Sequence, residues 1–282
     1  MRVCIRKMAA LLCVFILLVG NAHVCFADDL TDTEAFFTRP EEYSGWVEVP
    51  GVGQVRYYAQ NDPLWGGLCY EKAGTKTNRP CRDSACGPAS AAMAVSKLIA
   101  AEDLPLIAQY AKQEYSLCPC SVNAARCKMH HARYILTTVR DYERFLPLVF
   151  ADFATGNNIY GAISRNEAAG TGTGFIQHIA KIYGLQLTFT DDYQRAVEAL
   201  KNGDAVVASA SKGGAFTNTG HYVYLAGIDD TRLYILDPLC RTEYKTKPGK
   251  KLEIIRPGLV ALTHENVGAA ALGGFIIFHK PD

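Results

Sequence analysis

Hydrophobic and polar positions divide the chain into a helical stretch followed by a strand-rich one. Residues 89–101 are alanine-rich, carry Met93, Leu98 and Ile99, and contain no glycine or proline, which predicts the strongest helix of the chain. Further helices are predicted at 103–115, 128–140, 172–183 and 192–201, the last two closed by Gly184 and Gly203 as residues just past a helix end. β-Branched and aromatic content predicts a strand at 55–58 and, in the C-terminal third, strands at 205–210, 221–228, 232–236, 252–256 and 273–279. Residues 28–50 read as a lead-in broken by Pro40 and Pro50, and 71–85 as a polar, turn-rich segment. Helices that precede antiparallel strands favour an α+β domain over a doubly wound parallel sheet.

The first 27 residues follow another plan. Arg2, Arg6 and Lys7 precede a 12-residue apolar run, 8–19, and the segment ends in Ala27 before Asp28. A membrane-spanning helix needs roughly 20 apolar residues. The pattern is that of a secretory signal over 1–27, with a cut after Ala22 as the other option. The expected organisation is a signal at 1–27, a lead-in at 28–54 and one domain at 55–282. The expected location is secreted, periplasmic or cell-surface, with no stable membrane span after cleavage. Composition agrees with a folded core: 282 residues, 49% of them apolar, exclude disorder and fibrous repeats. The 29 basic and 28 acidic side chains nearly balance, and removing Arg2, Arg6 and Lys7 leaves 26 basic, so nucleic acid is not an expected partner.

Export gives the ten cysteines a meaning. Beyond residue 27 there remain Cys69, Cys81, Cys86, Cys118, Cys120, Cys127 and Cys240, an odd number where disulfides are the usual fate. Cys86 stands apart by its context, Asp83-Ser84-Ala85-Cys86-Gly87-Pro88, at the start of the main helix. Asp83 or Ser84 is a candidate cap, and Pro88 suits a first helical turn. At a helix N-terminus, unpaired N–H groups and the positive end of the helix dipole favour a thiolate. Gly87 leaves room for a substrate carbonyl beside the sulfur. Of the other six cysteines, Cys69 and Cys81 are the preferred local pair.

A thiolate nucleophile needs a base, and the base an orienting group. Two strand-like runs flank Asp229-Asp230-Thr231, a hairpin turn by composition. Closing that hairpin carries His221, at the start of one run, toward Asp237, at the end of the next, within reach of a cross-strand contact.

Three motifs carry a family resemblance: Cys-Gly-Pro-Ala at 86–89, Gly-His-Tyr-Val-Tyr-Leu-Ala-Gly-Ile at 220–228 and Tyr-Ile-Leu-Asp-Pro at 234–238. Together with Gln60-Asn61-Asp62-Pro63-Leu64-Trp65 and the segment 200–207, they resemble the papain-like cysteine peptidases related to the bacteriocin-processing, double-glycine-cleaving peptidases. The resemblance covers about residues 55–240. It implies a papain-like α+β fold, an N-terminal helical part with the nucleophile helix and a C-terminal antiparallel sheet. It also implies Cys86 as nucleophile, His221 as base, Asp237 as orienter and a glutamine that donates to the oxyanion. The bacteriocin processors place that glutamine six residues before the cysteine, where this chain has Pro80. The nearest preceding glutamine is Gln60, with an insertion at 66–82 accounting for the longer spacing.

Other patterns carry less. Cys118, Cys120, Cys127, His130 and His131 have the donors for a zinc site, but not a standard spacing, and export favours disulfides there. Ser209-Ala210-Ser211-Lys212 falls at a strand end without the companion motifs of penicillin-binding enzymes. Gly170-Thr171-Gly172-Thr173-Gly174 lacks the ending of a phosphate loop and reads as a lead into the 172–183 helix. Trp65 is a candidate cleft wall; His178, His264 and His279 have no partner pattern. The expected activity is that of a secreted cysteine-type peptidase or amide hydrolase that forms a thioester acyl-enzyme, needs no cofactor or metal, and acts on a peptide or protein. The alternative is a catalytically silent, disulfide-stapled module that binds a peptide or cell-wall component; its mark would be a disulfide-bonded Cys86.

Overall fold

The computed structural model describes residues 43–66, 70, 80–110, 141–154, 165–166 and 170–280. The expected signal at 1–27, the helix at 128–140, Cys69 and the cysteine–histidine cluster at 118–131 lie outside them.

The first element is a hairpin that the sequence reading only half anticipated. Strand β1 (Gly45–Val49) pairs antiparallel with β2 (Gly53–Tyr57). Val47, Val49, Val55 and Tyr57 are buried, while Trp46 on the other face is 54% exposed beneath the Arg56 guanidinium. Gly51 and Gly53 take the positive φ values, 72° and 94°, that the tight turn between the strands requires. Residues 45–49 were expected in the lead-in, because an alternation of five residues beside Pro50 says little until a partner strand is supplied.

A single helical turn, α1 (Cys81–Ser84), leads through Ala85 into α2 (Cys86–Leu98). Every residue of α2 from Cys86 to Val95 is buried. Its small side chains let the helix sit between the sheet on one side and α3 (Tyr142–Ala154) on the other. Between α2 and α3 the chain forms a 3-10 segment, Ala101–Tyr110, with Pro105 inside it. Helix α3 was not expected; Pro147 interrupts its pattern in the sequence, yet the helix runs through it. A two-residue ladder of β3 (Arg165–Asn166) and β4 (Gly170–Thr171) precedes α4 (Gly174–Ile182), β5 (Gln186–Thr190) and α5 (Tyr193–Lys201). As expected, Gly184 and Gly203 follow α4 and α5 with positive φ. Asp192 caps α5, its Oδ1 accepting from Gln194 N at 2.8 Å.

The remaining strands are β6 (Ala205–Ser211), β7 (Gly220–Ile228), β8 (Arg232–Leu236), β9 (Glu253–Arg256), β10 (Leu259–Thr263) and β11 (Leu272–His279). They join β5 in a seven-stranded sheet of order β5-β11-β6-β7-β8-β10-β9, every neighbouring pair antiparallel. The chain is thus a mixed helix and sheet protein built on a large antiparallel sheet. The segregation is looser than expected, since β1 and β2 come before the helices and β5 lies between α4 and α5. The central strands of the sheet are buried on both faces. Val207, Tyr224, Ala226, Tyr234 and Leu236 belong to the core that contains α2, whereas Val206, Val223, Leu225, Leu233 and Ile235 pack with α5, Phe216 and Tyr244. Burial of each such Val or Leu stabilises the fold by about 1.5–3 kcal/mol.

One irregularity in this sheet matters for the site. Along β7 and β8, Ile228 faces Leu233 and Gly227 faces Tyr234, but then Leu225 faces Ile235, so Ala226 is an extra residue. This β-bulge changes the phase of the strand. Ile228 and Leu225, three residues apart, therefore pack on the same face. The turn between β1 and β2 sits over the bulge: a Cβ on Gly227 would come within 2.1 Å of Val52 Cγ2.

Candidate active site

Cys86 is the first residue of α2 and its thiol is free. The capping differs from expectation. Asp83 and Ser84 lie within α1, and Ala85 occupies the cap position of α2 without a side-chain hydrogen bond. The amides go to the sulfur instead: Cys86 is hydrogen-bonded by the backbone N–H groups of Gly87 and Tyr222 and by the His221 side chain. Burial pushes the thiol pKa up, but the His221 hydrogen bond and charge, with the two amides, overcome it and hold Cys86 below the ordinary thiol value.

His221 is the second residue of β7 and is 6% exposed. Its Nε2 lies 2.7 Å from Asp237 Oδ1, which leaves Nδ1 for Cys86. Burial disfavours the imidazolium, yet the Asp237 charge and hydrogen bond, followed by the contact with Cys86, raise His221 to about 9. The three groups shift in the directions of a thiolate–imidazolium pair backed by a carboxylate.

Asp237 follows β8 and is fully buried. Its backbone is fixed by Asp237 N donating to Gly258 O at 2.7 Å and by Tyr57 Oη donating to Asp237 O at 2.7 Å. Gly258 is required here, with φ 80° and a virtual Cβ only 2.2 Å from Tyr57 Oη. Burial opposes ionisation of Asp237, but the His221 charge and hydrogen bond, then Arg241 and the Leu239 amide, lower it to about 2. The contact with His221 is diagonal. Continuing the register of Tyr224 with Leu236 puts Asp237 across from Val223 and His221 across from Leu239, so the two side chains meet along one face rather than directly opposite.

Gln60 stands between the two halves of this arrangement. Its backbone N donates to Pro238 O at 2.6 Å, and its Nε2 donates to Arg82 O at 2.7 Å, in the helical turn just before Cys86. Its Oε1 is buried with no hydrogen-bond partner. The two ends of the segment 66–82 are held together, because Arg82 N donates to Gly66 O at 2.9 Å. Gln60 is thereby brought to the start of α2 despite its distance in sequence.

Three further residues differ from expectation. Trp65 is not a cleft wall; it is 2% exposed, with Nε1 donating to Ala59 O at 2.9 Å. The space at Gly87 is filled by the chain itself, since a Cβ there would lie 3.0 Å from Thr171 Cβ. Thr171 Oγ1 is in turn 2.7 Å from Tyr70 Oη. The glycine thus serves the approach of β4 to the helix start. Thirdly, His279 has partners: Nδ1 lies 2.9 Å from Asp204 Oδ2 and Nε2 2.9 Å from Thr188 Oγ1.

Sequence reasoning missed Tyr244 and Arg241, which reach Asp237 Oδ2 at 2.7 and 3.3 Å. The spacing of Arg241, four residues after Asp237, was the one available signal. Asp62, in the turn after Gln60, is also buried; desolvation raises its carboxyl to about 6, against hydrogen bonds from Ser44 and the Leu64 amide. Among the described residues no group of three or more His, Cys, Asp or Glu side chains is arranged to hold a metal, and no helix is long and apolar enough to cross a membrane.

A helix-start thiol hydrogen-bonded to an imidazole, itself bonded to a buried carboxylate, is the arrangement used by cysteine-type hydrolases. The chain belongs to the Peptidase_C39 like family, which matches it over residues 52–254, a span that includes Gln60, Cys86, His221 and Asp237. That membership makes it a cysteine peptidase in general type. No curated protein matches the chain.

Proposed function

We propose that this protein is an exported cysteine peptidase of papain-like architecture, with Cys86 as nucleophile, His221 as general base and acid, and Asp237 as orienter. The observation that carries the reading is the free Cys86 thiol hydrogen-bonded to His221, whose other ring nitrogen is 2.7 Å from Asp237. In this reading the Cys86 thiolate adds to the carbonyl carbon of a peptide bond. The oxyanion takes hydrogen bonds from the Cys86 backbone N–H, which as a first-turn amide has no intrahelical partner, and from the second N–H of Gln60. His221 then gives its proton to the departing amine, leaving a thioester. Water, losing a proton to His221, hydrolyses the thioester and regenerates the thiolate–imidazolium pair. Neither metal nor organic cofactor enters these steps. The substrate is a peptide or protein, met outside the cytosol after the segment 1–27 has directed export. The silent binding module has no comparable support, because its mark was a disulfide at Cys86.

The test is iodoacetamide labelling of the folded, non-reduced protein near neutral pH, with the modified cysteine mapped by mass spectrometry, alongside cleavage of a peptide library. Selective labelling of Cys86, slowed in His221→Ala, and cleavage that disappears in Cys86→Ala are expected. An unreactive Cys86 together with no cleavage above the Cys86→Ala background overturns the reading.

A further inference from the structure

The buried carboxylate of Asp237 has more donors than an interaction with His221 needs. Oδ1 receives His221 Nε2 at 2.7 Å and Leu239 N at 2.9 Å. Oδ2 receives Tyr244 Oη at 2.7 Å and faces Arg241 Nη1 at 3.3 Å. These four contacts fill the roughly four lone-pair sites of a carboxylate.

Tyr244 is itself immobilised. Its ring meets Phe216 edge-on with centroids 5.7 Å apart, and the Arg241 guanidinium lies 5.4 Å over its face. Arg241 also donates to the Phe216 carbonyl, so Phe216, Tyr244 and Arg241 form one bracket around Oδ2. Aspartate χ2 is a broad, two-fold torsion, so a carboxylate without such a bracket samples many plane orientations. Fixing Oδ2 by Tyr244 and one lobe of Oδ1 by the Leu239 amide leaves a single direction for the bond to His221.

We propose that Tyr244 is a positioning residue of the active site: its hydroxyl, clamped by Arg241 and Phe216, sets the plane of the Asp237 carboxylate and thereby aims the His221 imidazole at Cys86. The proposal rests on the triad reading above.

The alternative, a hydroxyl that only delocalises charge, predicts the opposite titration. If Tyr244 merely drew charge from Asp237, its loss would strengthen the pull on the imidazolium and extend the thiolate–imidazolium range at its alkaline end. If Tyr244 positions the carboxylate, its loss loosens the bond to His221, the imidazolium is less stable, and the range narrows from both ends. Tyr244→Phe separates the two because it keeps the ring that Phe216 and Arg241 contact.

The experiment is the rate of Cys86 alkylation by iodoacetamide across pH in the full chain and in Tyr244→Phe, read at Cys86 by mass spectrometry, with thermal melting alongside. Loss of one charge-assisted hydrogen bond should slow alkylation at mildly acidic pH by roughly tenfold and narrow the pH range while the variant stays folded. Arg241→Lys, which keeps the charge but loses the guanidinium fork, is expected to narrow it as well, and decides the matter if Tyr244→Phe does not fold. A wild-type profile without an acid-shifted thiolate sinks the triad reading. A wild-type profile that has one, with both folded variants matching or broadening it, sinks the role of Tyr244 alone.

Discussion

His221 and Asp237 share one face of the sheet because of the extra residue at Ala226. With regular pairing from Ile228 to the start of the strand, Asp237 would stand opposite Tyr224, whose side chain packs on the other face. The bulge shifts the phase by one residue, and the 2.7 Å bond between imidazole and carboxylate becomes possible. Deleting Ala226 removes the odd residue that the bulge absorbs, so regular pairing then keeps Leu225 with Ile235 and Tyr224 with Leu236, and acid-shifted alkylation of Cys86 should survive in that variant. Its disappearance in a folded deletion variant would show that the bulge does more than set the face.

Asp237→Asn replaces the buried charge opposite His221 with a neutral amide that can also hold the wrong tautomer. General acid–base contributions suggest a fall in kcat/KM of roughly 10²–10⁴-fold. Cys86 alkylation at neutral pH should slow in parallel, since the imidazolium that stabilises the thiolate is no longer countered. Peptide hydrolysis and alkylation rates measured side by side check both effects.

In the proposed mechanism the reactive ion pair is formed only between the titration of Cys86 and that of His221. Cys86 is shifted below the ordinary thiol value and His221 up to about 9, so the charged pair is formed on the acid side of normal thiol ionisation. Hydrolysis should rise as pH passes the lowered Cys86 titration and fall as His221 loses its proton near pH 9. Asp237, lowered to about 2, stays ionised throughout. A pH profile of kcat/KM with its acid limb at an ordinary thiol pKa would contradict this assignment.

Gly87→Ala forces a methyl group to 3.0 Å from Thr171 Cβ at the start of α2. Overpacking of this kind costs about 1–3 kcal/mol, and here it also displaces the residue next to Cys86. Thr171→Ser, which removes the methyl 3.2 Å away and keeps a hydroxyl for Tyr70, should recover part of the loss. Denaturant unfolding of the two single variants and the double variant measures the coupling.

Trp65 separates packing from recognition. Trp65→Ala should cost about 3–5 kcal/mol as a core deletion. Trp65→Phe should lose less stability and leave KM for a cleaved peptide unchanged, because the indole is buried rather than presented to a substrate. An altered KM in the Phe variant would restore Trp65 to the cleft.

Much of this is legible in the sequence alone. The alanine-rich run without glycine or proline marked the strongest helix, with Cys86 at its start. Gly184 and Gly203 marked two helix ends because left-handed residues there favour glycine. The runs 221–228 and 232–236 around Asp229-Asp230-Thr231 gave the hairpin and so the neighbourhood of His221 and Asp237. Local composition was enough for these, since each depends on the conformational preference of a few consecutive residues. Strand β1, edge strand β5, β10 and helix α3 escaped because short runs and an internal proline acquire their meaning from the partners they pack against.

The sequence by itself singled out the candidates, Cys86, His221 and Asp237 from their settings and Gln60 from a family resemblance, and the elements that bear the first three. Tertiary structure alone decided how they meet. It brought Gln60 to Arg82 across a segment whose ends meet at Gly66 and Arg82, filled the space at Gly87 with Thr171, and buried Trp65. It turned Asp237 to the face of His221 by one bulged residue and enclosed its carboxylate with Tyr244 and Arg241. These are contacts between segments far apart in the chain, and their geometry follows from packing and register, which no local preference encodes.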